Sequence, residues 1–375
     1  MESRIRMLNV LDKKPVDRLP VTTHHVQDYF LKKYMKEISV DDFFEEVGLD
    51  PIVWIHEIKG TDNKGTFLKD GVLQSENWRV TAQELSDPDY KTIRYTIHTP
   101  KKQLTMVKQC NEYTCWVGEH LVKEKSDIDV IAQYAPIEQC DVEAINKVAA
   151  QTGNKALIRG MIPSFPFYGQ PGCWQDAACL FGIEPLIMET FDDPEWVHEF
   201  LKVLHHRKMT YVNSLDKAAF DILELGGGDA SSTVISPTIL EQFVLPYDSQ
   251  IIQKAKEFNQ RIAYHTCGGM MPILEQLASM KPAALETFTP VGMGGDVDLA
   301  QAKRRIGDKV AMIGGFDQGK YFMGASEQEV RSAVRKCFNE AGEGGGFILS
   351  PSDHFFDANP ELIKVFADEA KKCTY

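Results

Sequence analysis

Short apolar runs alternate with longer amphipathic stretches along this chain, a pattern that predicts repeated strand–helix units. Eight runs have the length and near-continuous apolar character of buried strands: 18–23, 51–55, 155–159, 221–225, 261–265, 283–287, 309–313 and 346–349. Strands of this kind are covered on both faces, so they belong in a parallel sheet. Eight of them with helices between predict an α/β fold, the closed (β/α)₈ TIM barrel. An open doubly wound sheet is the alternative, weakened by the lack of a Gly-x-Gly-x-x-Gly after the first run. Helix starts are readable too: Ser236-Pro237 is an N-cap followed by proline, and Ser326-Glu327-Gln328-Glu329 has capping-box spacing.

Between Gly60 and Lys123 the period changes. Residues 78–81, 92–97 and 114–117 alternate polar and apolar positions around turn residues such as Asp87-Pro88-Asp89. This predicts an antiparallel hairpin insertion over 60–123, after the second strand of a single barrel domain spanning 1–375.

Composition narrows the class. At 375 residues, 43% hydrophobic and 25% charged, the chain has the make-up of a soluble globular protein. No apolar run approaches a membrane span, and the Met-Glu-Ser-Arg-Ile-Arg start has no signal-peptide character, so a cytoplasmic location is expected. Eight scattered cysteines without a CxxC pair are expected to be free thiols. A net charge of −13 opposes nucleic acid and anionic membranes as partners, leaving a small molecule or another protein.

A barrel places its chemistry just after each strand. His265 and Cys267 are two positions apart at the end of the fifth run, on one face, with Gly268 and Gly269 behind them. Imidazole and thiol are donors that zinc prefers, and Glu286, Asp353 and His354 follow the sixth and eighth runs, where donors converge on one ion. Gly226, Gly227, Gly228 and Asp229 form a loop that admits a large planar cofactor close to the backbone. Ser164–Tyr168, Trp174, Phe181, Phe355 and Phe356 supply material for an aromatic pocket.

Gly228-Asp229, Leu245-Pro246-Tyr247 and His265-Thr266-Cys267-Gly268-Gly269, in this strand order, resemble the uroporphyrinogen decarboxylase superfamily over nearly the whole chain. The decarboxylase itself carries Arg-Gln-Ala-Gly-Arg-Tyr after its first strand, whose arginines bind substrate carboxylates; here that stretch is Val21 to Tyr29 and holds none. The hairpin insertion and His-x-Cys are more similar to the corrinoid-dependent methyltransferases of the superfamily. In its methylcobamide:coenzyme M members, zinc is held by His-x-Cys and a distant cysteine, with a nearby acid at the open position. The resemblance implies zinc at His265 and Cys267 with Glu286 as the exchangeable acid. Asp353, with His354 beside it, replaces the distant cysteine.

Fewer thiolates leave a harder Lewis acid suited to an oxygen substrate. The expected reaction is transfer of a methyl group from an ether, a phenyl methyl ether in particular, to Co(I) cobalamin carried by a partner corrinoid protein. Asp229, Glu286 and His354 are the expected catalytic residues, and Gly226 to Asp229 the cofactor contact. The third zinc ligand is Asp353 or His354, and the choice between Glu286 as displaceable ligand and Asp229 as proton donor stays open. The alternatives are methyl transfer from methylcobamide to a thiol or tetrahydrofolate, decarboxylation of a smaller acid, and a barrel that only binds.

Overall fold

The computed structural model describes residues 1–23, 25–59, 72–165 and 171–375. His24, part of the insertion, and Phe167 and Tyr168 of the expected aromatic lining lie outside the described residues. The described residues form two sheets. The larger has seven strands: β1 (Ile52–Trp54), β6 (Leu157–Met161), β7 (Ile222–Gly226), β8 (Ile262–His265), β9 (Ala284–Thr287), β10 (Ala311–Phe316) and β11 (Phe347–Pro351), paired in that order. All pairs are parallel. β7, β8, β9 and β11 are buried along their whole length, as near-continuous apolar runs require when helices cover one face and core the other.

The first expected strand is reduced to one bridge, Val21 with Leu349. Pro20 explains this, because a proline inside the run has no N–H to extend a ladder. The segment still reaches both edges of the sheet. Leu349 N–H donates to the Pro20 carbonyl and Thr22 N–H to the Leu349 carbonyl, at 2.9 and 3.0 Å, while Asp50 N–H, just before β1, donates to the Val21 carbonyl at 2.7 Å.

The Asp50 side chain secures this junction. Its buried carboxylate accepts from Val21 N–H at 3.0 Å, Arg6 at 2.9 Å, Arg18 at 2.9 and 3.0 Å, and Ser3 at 2.7 Å.

The smaller sheet is antiparallel and lies between β1 and β6 in sequence: β2 (Arg79–Leu85), β3 (Lys91–His98), β4 (Gln103–Cys110) and β5 (Cys115–Glu119). β4 goes beyond the expectation because buried Lys108 and a register shift at Val107/Lys108 break the alternation there. Cys110 and Cys115 pair directly across β4 and β5 with Cα atoms 4.0 Å apart and are joined by a disulfide. The expectation of free thiols throughout is corrected at these two positions: the hairpin register, invisible in the cysteine spacing, brings them together. No helix among the described residues is long and apolar enough to cross a membrane.

Replacing Asp50 with Ala leaves Arg18 without its carboxylate and removes the acceptor for Val21. The expected loss is about 3 kcal/mol, since one partner of a buried ion pair is taken away. The urea denaturation midpoint of Asp50→Ala measures it.

Candidate active site

Four ionic side chains occupy adjacent strands at the same end of the parallel sheet. Arg159 comes from β6, Glu224 from β7, His265 from β8 and Glu286 from β9, and all four are buried. Arg159 Nη1 donates to Glu286 Oε2 at 3.0 Å, and its Nη2 to Glu224 Oε2 at 2.6 Å and to Glu286 Oε1. His265 Nδ1 lies 3.1 Å from Glu286 Oε1. Cys267 hydrogen-bonds the same imidazole.

Burial disfavours charge on both cations, but the two carboxylates win. They hold the Arg159 pKa above the ordinary arginine value. Against the cost of burial, Glu224, the Cys267 hydrogen bond and Glu286 together raise His265 well above an ordinary histidine. With His265 protonated, two positive charges face two negative ones, so the buried group is neutral.

Donor atoms of Glu224, His265 and Glu286 lie within 4.8 Å of one another, the gathered trio among the described residues with room to hold a metal ion. Asp353 is not in it. Its Oδ1 lies 2.8 Å from His354 Nδ1 in a partly exposed pair, the His354 ring 5.1 Å from Phe356. Glu286, by contrast, meets His265.

The glycine loop after β7 packs closely on its neighbours. A Cβ at Gly226 (φ 108°) would come within 2.3 Å of the His265 carbonyl oxygen, one at Gly227 within 2.4 Å of Gln175, and one at Gly228 within 2.7 Å of Cys267 Sγ. At these three positions a side chain would collide with the protein's own atoms, which is why glycine stands there. Asp229 follows in a 3₁₀ turn, Gly228–Ala230, and burial raises its pKa while a hydrogen bond from Gln175 pulls the other way.

Four residues here have no role assigned from the sequence: Arg159 and Glu224, and His25 and Trp54, of which Glu224 and His25 stand out only as strand-end residues. The signal for the first two was present, since each is a lone charge inside an apolar strand. His25 stacks on Trp54, ring centroids 4.8 Å apart and planes within 10°, and the Arg159 guanidinium lies 4.7 Å from the Trp54 centroid. The expected aromatic residues divide: Phe356 packs edge-on against His354, whereas Trp174 is fully buried and holds the Asp229 carbonyl through its indole N–H.

With this geometry fixed, comparison with known proteins is informative. The sequence model described as uroporphyrinogen decarboxylase (URO-D) matches residues 83–373. The chain belongs to the uroporphyrinogen decarboxylase family. Among curated members, the uroporphyrinogen decarboxylase of Pseudoalteromonas atlantica is 27% identical over 57% of this chain and 60% of its own length. That of Thioalkalivibrio sulfidiphilus is 28% identical over 57% and 61%. The match thus spans about three-fifths of these family members. Among solved structures, a methyltransferase from Methanosarcina mazei covers 99% of both chains with a TM-score of 0.65 at 16% identity, which shows a shared fold.

Burial, with Arg159, His265 and His354 adding to it and Glu224 opposing, pushes His25 down to about 4 from 6.5. The unfolded chain therefore takes up this proton first, and the stability held by neutral His25 is complete above pH 6.5 and lost as pH falls toward 4. The full effect is on the order of 3 kcal/mol. Urea midpoints across this range should fall less steeply in His25→Phe, which keeps a stacked ring without the titration.

Proposed function

We propose that this family member is a zinc-dependent methyltransferase that passes the methyl group of an aryl methyl ether to a reduced corrinoid carried by a separate protein. In this reading the seven-stranded sheet closes as a (β/α)₈ barrel through residues 20–22, and the site lies in its mouth. The observation that carries the proposal is the buried, charge-balanced group of Arg159, Glu224, His265 and Glu286 with Cys267 beside it.

The group fits zinc by its charge. A dication taken up in exchange for the His265 proton and the Cys267 thiol proton leaves the buried charge at zero, so no new ionic burden is created. His265, Cys267 and Glu224 would hold the ion. Asp353, paired with His354, leaves the third place to Glu224. Glu286 then keeps the His265 ring in orientation through Nδ1 and leaves Nε2 for the metal. Bound zinc supplies Lewis acidity toward the ether oxygen.

The remaining work belongs to side chains. The His25–Trp54 stack and Phe356 offer aromatic surface to the ring of the ether. Asp229 donates the proton that the departing oxygen needs. The O–CH₃ bond breaks with its electron pair remaining on oxygen, and the reduced corrinoid supplies the pair for the new bond to methyl. The products are a phenol and a methylated corrinoid. Arg159 is committed to Glu224 and Glu286, so this buried cation is not offered to a polycarboxylate substrate. The M. mazei protein of the same fold is named a methyltransferase, in keeping with this reading.

Metal analysis should find about one zinc per chain, most of it lost in Cys267→Ala and Glu224→Gln. Zinc uptake should release protons and strengthen as pH rises, because metal displaces the proton that His265 holds well above the ordinary range. Incubated with Co(I) cobalamin and a methoxylated aromatic, the protein should yield methylcobalamin and the phenol, with Glu286→Gln slower by roughly 10- to 100-fold. Carbon dioxide release from a carboxylated substrate, or methylcobalamin consumed by thiols while ethers stay inert, would overturn the assignment.

A further inference from the structure

Gln175 has no role in the reaction described so far, although it is buried and makes two directional contacts with Asp229. It sits on the helix Cys173–Phe181, whose first turn packs on the glycine loop: Gly172 N–H donates to the Gly226 carbonyl at 2.7 Å. From there the Gln175 Oε1 accepts the Asp229 N–H at 2.8 Å, and its Nε2 donates to Asp229 Oδ2 at 2.7 Å. The Trp174 indole N–H holds the Asp229 carbonyl at 3.1 Å, so backbone and side chain are both fixed.

The amide can face only one way. The Asp229 N–H is a donor and needs the amide oxygen, which turns the NH₂ group toward the carboxyl. An NH₂ group is donor-only, so Oδ2 must accept, and the carbonyl oxygen of a carboxylic acid accepts better than its hydroxyl oxygen. When Asp229 is uncharged, its proton is therefore favoured on Oδ1, which makes no hydrogen bond to any described residue. Burial favours that uncharged form.

We infer that Gln175 is a positioning residue that assigns the Asp229 proton to Oδ1 and presents it to the leaving oxygen of the substrate. This rests on the proposed ether demethylation. The proton leaves Oδ1 for the oxygen as the O–CH₃ bond breaks, and Asp229 is left as a carboxylate with Gln175 still donating to Oδ2. A residue that only filled space would not tie its effect to how much the leaving oxygen needs a proton.

Gln175→Leu and Gln175→Glu test the inference; the second keeps the shape and an acceptor for the Asp229 N–H but replaces the NH₂ donor. Both variants should retain wild-type zinc and KM within about twofold, and lose kcat by roughly 10- to 100-fold on an unactivated methoxybenzene. The loss should shrink toward none on nitro-substituted ethers, whose phenolates leave without a proton. Combined with Asp229→Asn, Gln175→Leu should add nothing further. Independently of activity, the infrared carbonyl band of protonated Asp229, identified by its absence in Asp229→Asn, should move to higher frequency in Gln175→Leu. Equal losses on all ethers, additivity with Asp229→Asn, or an unmoved band would overturn the inference. If the wild-type protein demethylates no ether, the proposed function fails, and the infrared band alone decides whether Gln175 assigns the proton.

Discussion

A guanidinium with no access to water is the constraint around which the rest of this site is arranged. An isolated buried charge is so costly that it is not tolerated, and Arg159 is fully buried among the largest inward side chains. Its compensation comes from Glu224 and Glu286, on β7 and β9, so the charge balance spans the sheet from β6 to β9. His265 is drawn into the same balance through Glu286. The strands cannot slip by one residue without separating these partners, because a slip turns each side chain to the other face.

The fold was legible where local physics dominates. The seven assigned strands of the parallel sheet fall on expected runs because burial on both faces demands continuous apolar sequence. Ser326 and Glu329 form the expected capping box, and Ser236 caps the Ile239 N–H. The first run misled because apolar content outweighed Pro20, whose missing donor limits pairing to one bridge. The Cys110–Cys115 bond depends on cross-strand register, which cysteine spacing alone does not encode.

The site was legible in half. His265, Cys267 and Glu286 stand out because metal-binding donors at strand ends are conspicuous, and two of them meet at 3.1 Å. Asp353 follows the last strand as a ligand should, yet it neighbours a histidine in sequence and pairs with it instead. Arg159 escaped, and Glu224 stood out only as a strand-end residue, because each reads alone as an ordinary charge. Their meaning is pairwise, and the pairing depends on strand order. Gln175 lies in the first turn of its helix, where nothing in the sequence marks it, and its contacts with Asp229 arise only from the packing of that turn on the glycine loop.

The tight approach of Gly226, Gly227 and Gly228 to their neighbours has a consequence for how such a site diversifies. Any side chain added there meets the His265 carbonyl, Gln175 or Cys267, so the floor admits almost no inherited variation. The walls are different. His25, Trp54, His354 and Phe356 touch one another through ring faces and edges rather than through a balanced set of buried charges. In the reaction proposed above, a new substrate would be accommodated by exchanging one ring for another while the ionic base stays intact, and the evolution of recognition would be separated from that of chemistry.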